Sequence, residues 1–205
     1  MSTEPRGEKA AYFDRLAPEW DERVGNNSSR REKLRGIFDM ISLEKGHRVL
    51  DVGCGSGVLF PFIEARIGEG GRILAIDPAP AMIARARELH AGHKNIEYMT
   101  AFIEDARLAD GGFDVILCYA VLPHLDNIPA ALRQLRKALS PDGRMYIFHP
   151  DDTRTLNEFH GSLKAPVSRD VLPGEGELRL MLEEAGFRVL RYIDRPGLNF
   201  VESAP

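Results

Sequence analysis

The sequence holds only two cysteines and one tryptophan, and it has no long apolar run. Cys54 and Cys118 are too few for a disulfide framework and lack the spacing of a metal-ligand cluster. Each sits inside an apolar stretch, which predicts reduced, buried thiols. No window approaches the ~20 consecutive apolar residues of a membrane-spanning helix. Residues 1–9 are polar and lack the apolar core of a secretory signal, so a cytoplasmic protein is expected. Excess positive charge is missing too. The 27 Lys and Arg face 31 Asp and Glu, a formal net charge of −4, and no global field draws the chain to nucleic acid or to a membrane surface. The one basic cluster, Arg30, Arg31, Lys33 and Arg35, is interrupted by Glu32 and reads as a solvated helix face. Repeats and low-complexity tracts are absent. What remains is 205 residues, 43% hydrophobic and 28% charged, the material of one domain with one sizeable core.

Short β-like runs alternate with helical patterns, the signature of βαβ units and a mostly parallel sheet. Strands are predicted at Arg48–Val52, Arg72–Asp77, Ile96–Thr100, Phe113–Tyr119 and 144–149. Met82, Ile83, Ala86 and Leu89 mark one helix face, and Ile128, Ala131, Leu132, Leu135 and Leu139 another. Asn127 is a good N-cap for the latter, and Ser140-Pro141-Asp142-Gly143 ends it in a turn. Two helical stretches, 8–17 and 28–41, precede the first strand, joined by Gly25-Asn26-Asn27. A long irregular passage, 150–176, follows the fifth strand and leads to a helix closed by Gly186. The last two runs, 187–194 and 198–202, are joined by Arg195-Pro196-Gly197, too short for a parallel crossover, so they must be antiparallel. The chain thus divides into a helical cap (1–45), a core (46–149), and a segment holding the passage, last helix and hairpin (150–205).

The stretch Val49-Leu50-Asp51-Val52-Gly53-Cys54-Gly55-Ser56-Gly57 carries the most chemistry. A buried strand runs into a glycine-rich turn that opens a helix, with Pro61 tolerated in the helix's first turn. Such units cradle adenosine-containing cofactors at the carboxyl edge of a parallel sheet. The spacing is G-x-G-x-G, not the G-x-G-x-x-G of dinucleotide sites, and Asp51 precedes it. Asp51 suits an amino group and would repel a pyrophosphate. Ile73-Leu74-Ala75-Ile76-Asp77 is a second strand ending in an acid that can accept both ribose hydroxyls. S-adenosylmethionine is therefore the cofactor expected.

Val49 to Gly57, Ala75-Ile76-Asp77, Phe113-Asp114-Val115-Ile116-Leu117 and Leu135-Arg136-Lys137-Ala138-Leu139-Ser140-Pro141-Asp142-Gly143-Arg144 resemble, in order and spacing, the motifs of class I (Rossmann-like) methyltransferases over 48–147. Tyr12-Phe13-Asp14-Arg15-Leu16-Ala17-Pro18-Glu19-Trp20-Asp21 resembles the N-terminal segment of the small-molecule, methyltransferase type 11-like branch. The resemblance implies an α/β three-layer sandwich whose seven-stranded, mostly parallel sheet runs 3-2-1-4-5-7-6 with one antiparallel strand. It implies that Gly53, Gly55 and Gly57 pass under the methionine and ribose parts of the cofactor and that Asp77 holds the ribose. Pro78 and Met82 would pack beside the adenine, and Cys118 would offer its backbone carbonyl to the amino group. Met82 equally suits a core position on its helix face. The family often has an acidic residue and then a backbone donor after the third strand; here Phe102 and Ile103 stand in those places, with Glu104 and Asp105 beyond. Either Glu104 serves the adenine or Phe102 covers the ring.

The expected function is methyl transfer to a small-molecule acceptor, by a monomer or homodimer without nucleic-acid or membrane partners. The alternatives are a non-catalytic S-adenosylmethionine-binding protein and a nucleotide-dependent dehydrogenase. Methyl transfer is an in-line displacement in which the protein aligns the nucleophile, excludes water and, for an oxygen or nitrogen acceptor, removes a proton. His124, His149, His160 and Tyr12 are the candidate bases. His47, His90 and His93 lie in polar contexts and read as solvated. The spacing of the histidines matches no metal-ligand motif, so no metal is expected. Tyr12 and Trp20 from the cap, and residues 150–176, are expected to roof the pocket; the latter read as a lid or as an ordered surface loop.

Overall fold

Helix–strand alternation runs through the described chain, residues 7–24 and 28–205 of a computed structural model. Helices α1 (Glu8–Leu16), α2 (Trp20–Val24) and α3 (Ser28–Phe38) come before the first strand. Then follow β1 (Arg48–Val52), α4 (Phe60–Ile67), β2 (Arg72–Asp77), α5 (Pro80–Leu89), β3 (Ile96–Thr100) and β4 (Phe113–Tyr119). The second half holds α6 (Ile128–Ala138), β5 (Leu139–His149), α7 (Thr153–Ser162), α8 (Glu175–Glu184), β6 (Arg188–Arg195) and β7 (Leu198–Ala204). The Gly25-Asn26-Asn27 connection lies outside the described residues.

The strands form one sheet in the order β3-β2-β1-β4-β5-β7-β6. Only β7 runs against its neighbours, β5 and β6, as the short Pro196-Gly197 link requires; Gly197 takes φ 82 there. The central strands are apolar on both faces, so both must be covered. Val115 and Leu117 of β4 pack with Phe38, Phe60 and Ile83 of α3, α4 and α5. Ile116 and Cys118, alternate along the same strand, pack with Leu132, Leu135, Leu178 and Leu182 of α6 and α8. Local signals set the helix ends. Asn127 Oδ1 accepts from the Ala130 N–H at 3.0 Å to start α6. Gly186, at φ 87, ends α8 with its N–H donating to the Glu183 carbonyl at 2.9 Å.

The structure corrects several expectations. The residues Ser140 to Gly143 are not a turn before the strand but a bulge within it: the partner of β4 steps from Leu139 at Phe113 to Arg144 at Val115. Leu139 therefore belongs to β5, and α6 stops at Ala138. Residues 150–176 are largely ordered by α7 and a 3-10 turn at Val167–Arg169. Asp152 caps α7, its Oδ1 accepting from the Thr155 N–H at 3.1 Å. Leu89, expected on a buried helix face, is 45% exposed, because α5 ends there. His90 is half-buried with its ring 4.8 Å from that of Phe60, rather than solvated.

Helices α1 and α2 dock over the carboxyl edge of the sheet. Phe13 and Trp20 pack with Ala17, Ala79 and Met82. Asp14 Oδ1 accepts from the Ala81 N–H at 2.7 Å at the start of α5, and Arg85 Nε donates to Asp21 Oδ2 at 2.8 Å. Among the described residues no helix is long and apolar enough to cross a membrane.

Candidate active site

The carboxyl ends of β1, β2, β4 and β5 open into a cavity of about 370 Å³. Gly53 and Gly55 line it from the sheet side. Lys9, Phe13 and Trp20 line it from the cap, and Leu156, Phe159 and His160 from α7. Helices α1, α2 and α7 thus roof it.

The glycines divide into two roles. Gly53 has φ 66 and Gly55 φ 53. A Cβ on Gly53 would run into the Val121 side chain, and one on Gly55 would stand 3.1 Å from the Trp20 indole nitrogen. Gly57, at φ 88, is outside the cavity lining, and a Cβ there would collide with Phe60. Its place is set by helix packing.

Two carboxyl groups sit behind the glycine turn. Asp51 is 1% exposed, and its Oδ2 has no hydrogen-bond partner. Burial, and then the charge of Asp77, push its carboxyl well above the ordinary range. Asp77 Oδ2 accepts from the Gly55 N–H at 2.9 Å and Oδ1 from the Ala79 N–H at 2.9 Å. Burial raises its carboxyl to about 6 against the opposing pull of those bonds, with Asp14 adding to the rise. An orphaned buried carboxylate next to a second one fits a ligand that brings a cationic amino group and ribose hydroxyls.

Pro78, Met82, Phe102 and Ile103 all line the cavity. Glu104 Oε1 accepts from the N–H groups of Asp126 and Asn127 at 3.1 Å each, which ties this loop to the start of α6. Cys118 is fully buried outside the lining, and burial pushes its thiol up. Tyr119 and Ala120 reach the cavity in its place. Ala120, at φ 50, is the only non-glycine with positive φ among the described residues, and its N–H donates to the Phe148 carbonyl at 2.9 Å.

Histidines gather at the other end. His124 Nδ1 lies 2.6 Å from Asp170 Oδ2, while Lys9 Nζ lies 2.8 Å from Asp170 Oδ1. Burial alone would raise the Asp170 carboxyl, but the bonds from His124 and Lys9 outweigh it and hold it below its ordinary value. His160 Nδ1 donates to the Asp170 carbonyl at 2.9 Å, and its ring centroid is 5.1 Å from that of His124. Burial and His124 lower the His160 pKa. His149 is completely buried, and burial, then His124, lower it to about 3. His124, His149 and His160 all line the cavity. Tyr12 does not; its ring packs edge-on against Phe13, which does. Among the described residues no three His, Cys, Asp or Glu side chains converge as metal ligands. Sequence reasoning missed Lys9, Arg30 and Asp170. Arg30, whose basic cluster reads as a solvated helix face, lines the cavity. Asp170 follows the 3-10 turn, 46 positions from His124, and no motif marks it.

A methyltransferase domain family model matches residues 26–192. The nocamycin O-methyltransferase of Saccharothrix syringae is 32% identical over 72% of this chain and 52% of its own length. A ubiquinone biosynthesis O-methyltransferase of Neisseria meningitidis is 34% identical over 66% of this chain and 59% of its own length. This chain therefore spans only about half to three-fifths of these relatives. A solved S-adenosylmethionine-dependent methyltransferase from Aquifex aeolicus superposes with a TM-score of 0.69 at 25% identity, covering 95% of this chain and 97% of that one. With its strand order, its glycine turn and this match over most of its length, the chain belongs to the class I, Rossmann-like family of S-adenosylmethionine-dependent methyltransferases.

Proposed function

We propose that the protein transfers the methyl group of S-adenosylmethionine to a hydroxyl of a small, largely apolar acceptor, with His124 as general base. The observation that carries this reading is the 2.6 Å contact between His124 Nδ1 and Asp170 Oδ2 at the cavity. A carboxylate at that distance accepts a hydrogen bond from the Nδ1–H and leaves the Nε2 lone pair free to take the acceptor's proton. Lys9, on the other carboxylate oxygen, holds Asp170 in place.

When bound, S-adenosylmethionine supplies an activated methyl group on a positively charged sulfur. Asp51 would meet its amino group and Asp77 its ribose hydroxyls, with the Gly53 and Gly55 backbone close by. Pro78, Met82, Phe102 and Ile103 would surround the adenine; the engagement of Glu104 Oε1 with Asp126 and Asn127 favours Phe102 as the residue that would cover the ring. Phe13, Val121, Leu125, Leu156 and Phe159 give the remaining wall an apolar character that suits an apolar acceptor and excludes water. The names of the relatives, both O-methyltransferases, support oxygen as the methylated atom.

The test is methyl transfer from labelled S-adenosylmethionine to a panel of phenols and enols by wild type, His124→Gln and Asp170→Asn. His124→Gln is expected to lower kcat by about 10²–10⁴, the usual contribution of a general base, with S-adenosylhomocysteine binding unchanged. Asp170→Asn should follow in the same direction, since the amide no longer fixes the tautomer. Full kcat in both variants would dismiss His124 as the base.

A further inference from the structure

His149 has no part in the scheme above, yet it lines the same cavity as His124 and His160. It ends β5 with no exposed surface, and neither Nδ1 nor Nε2 makes a hydrogen bond. The Asn199 side chain, across the β5–β7 ladder, is close enough to act on the ring as a hydrogen-bonding group, but no bond of ordinary geometry forms, and the Asn199 Oδ1 is likewise buried without such a partner. Nearly all buried polar atoms in folded proteins are well paired, so a cavity-lining ring with no well-formed hydrogen bond on either nitrogen is suited to the polar atoms of a ligand. Burial keeps the imidazole neutral, which gives it one donor and one acceptor. His160 has already committed Nδ1 to the Asp170 carbonyl, and Lys9 is held by Asp170. The histidine end is thus built for uncharged polar atoms.

We infer that His149 is a polar subsite of the acceptor pocket, and that the acceptor carries a second, uncharged oxygen, a hydroxyl or carbonyl near the one presented to His124. The inference rests on the proposed transfer to oxygen, because His124 supplies the address of the reacting hydroxyl.

The experiment uses protein saturated with S-adenosylhomocysteine and three probes: phenol, catechol and salicylate. Binding is followed by calorimetry in wild type, His149→Leu and His149→Gln, and the unfolding temperature of each ligand-free protein is measured. One added hydrogen bond should make catechol bind about tenfold more tightly than phenol. His149→Leu should erase that preference, and His149→Gln, which keeps a donor and an acceptor, should retain part of it. Salicylate should bind no more tightly than phenol. Ligand-free His149→Leu should unfold at the wild-type temperature or above, because it removes orphaned nitrogens rather than a bond. The inference is overturned if wild type binds catechol and phenol alike or binds neither, or if the preference survives in His149→Leu. It is overturned equally if salicylate binds tightest, or if His149→Leu and His149→Gln both unfold several degrees lower, which would make Asn199 the partner of His149. Because binding is read without turnover, a catechol preference without methyl transfer would count against the base assignment alone.

Discussion

Lowering the pH from 7.5 to 5 should weaken the binding of S-adenosylhomocysteine, by about tenfold per pH unit below 6 from Asp77 alone. The magnitude comes from Asp77. Burial holds its carboxyl at about 6, compared with the ordinary 3.8. Between these values the folded chain keeps a proton that the unfolded chain has lost. The ligand-free protein therefore loses stability from this group as pH rises through that window, on the order of 3 kcal/mol in all, and none further above it. A ligand whose ribose hydroxyls donate to the carboxylate binds the ionised form, so it pulls the pKa down and expels the proton. Asp51, raised by burial and then by Asp77, adds to the release when a cationic amino group faces it; the two carboxyls titrate as a pair. Calorimetry from pH 5 to 8, in two buffers of different ionisation heat, reads affinity and proton count together. Affinity should climb with a slope of at least one through pH 5–6, rising toward two where Asp51 also releases its proton, with protons released on binding. Asp77→Asn should flatten the climb and weaken binding at pH 7.5 by about 1.5–3 kcal/mol. A constant Kd across this range, or proton uptake on binding, would refute the assignment of Asp77 to the ribose.

The glycines should separate in the same assay. Gly53→Ala places a Cβ against Val121 at the cavity and should abolish cofactor binding, whereas Gly57→Ala collides with Phe60 and should chiefly lower the unfolding temperature. Each also forces alanine into a left-handed backbone, which costs about 1–2 kcal/mol. A Gly57→Ala protein of full stability would contradict the packing role. Lys9→Met removes one of the two groups on the Asp170 carboxylate and should speed amide exchange over residues 8–16. Equal exchange in the variant would mean that Asp14 and the packing of Phe13 hold α1 without Lys9.

The parts of this protein that follow local rules were readable in its sequence. The terminal hairpin and the cavity-lining residues Asp51, Gly53, Gly55 and Asp77 sit on motifs where glycine, proline and apolar alternation dictate one backbone path, whereas the strand order follows from the resemblance to class I methyltransferases. Helix α7 escaped because its apolar positions, such as Leu156 and the exposed Phe159, are sparse, and its start depends on the Asp152 side chain rather than on a hydrophobic stripe. The bulge at Ser140 to Gly143 escaped because Pro141-Asp142-Gly143 is equally suited to a turn between elements and to a break within a strand. Asp170 and Lys9 could not be found from spacing. They meet only when the first helix and the segment after α7 fold over the same edge of the sheet.

That meeting sets how the site is organised. One carboxylate, Asp170, receives His124 on Oδ2 and Lys9 on Oδ1. The tautomer of the proposed base and the position of helix α1 therefore depend on the same group. Helix α1 is also continuous with the turn that brings Trp20 to within 3.1 Å of a Cβ position on Gly55, at the cofactor end. A movement of this cap large enough to admit a ligand would withdraw Lys9 from Asp170 and Trp20 from the glycine turn together. Opening would thus wet both the acidic end, where Asp51 and Asp77 lie, and the histidine end. Closure would dry both and leave Asp170 fixed between its two partners. The carboxylate behind the proposed base would then be held from both sides when the roof is shut, which would favour proton removal in the state from which water has been excluded.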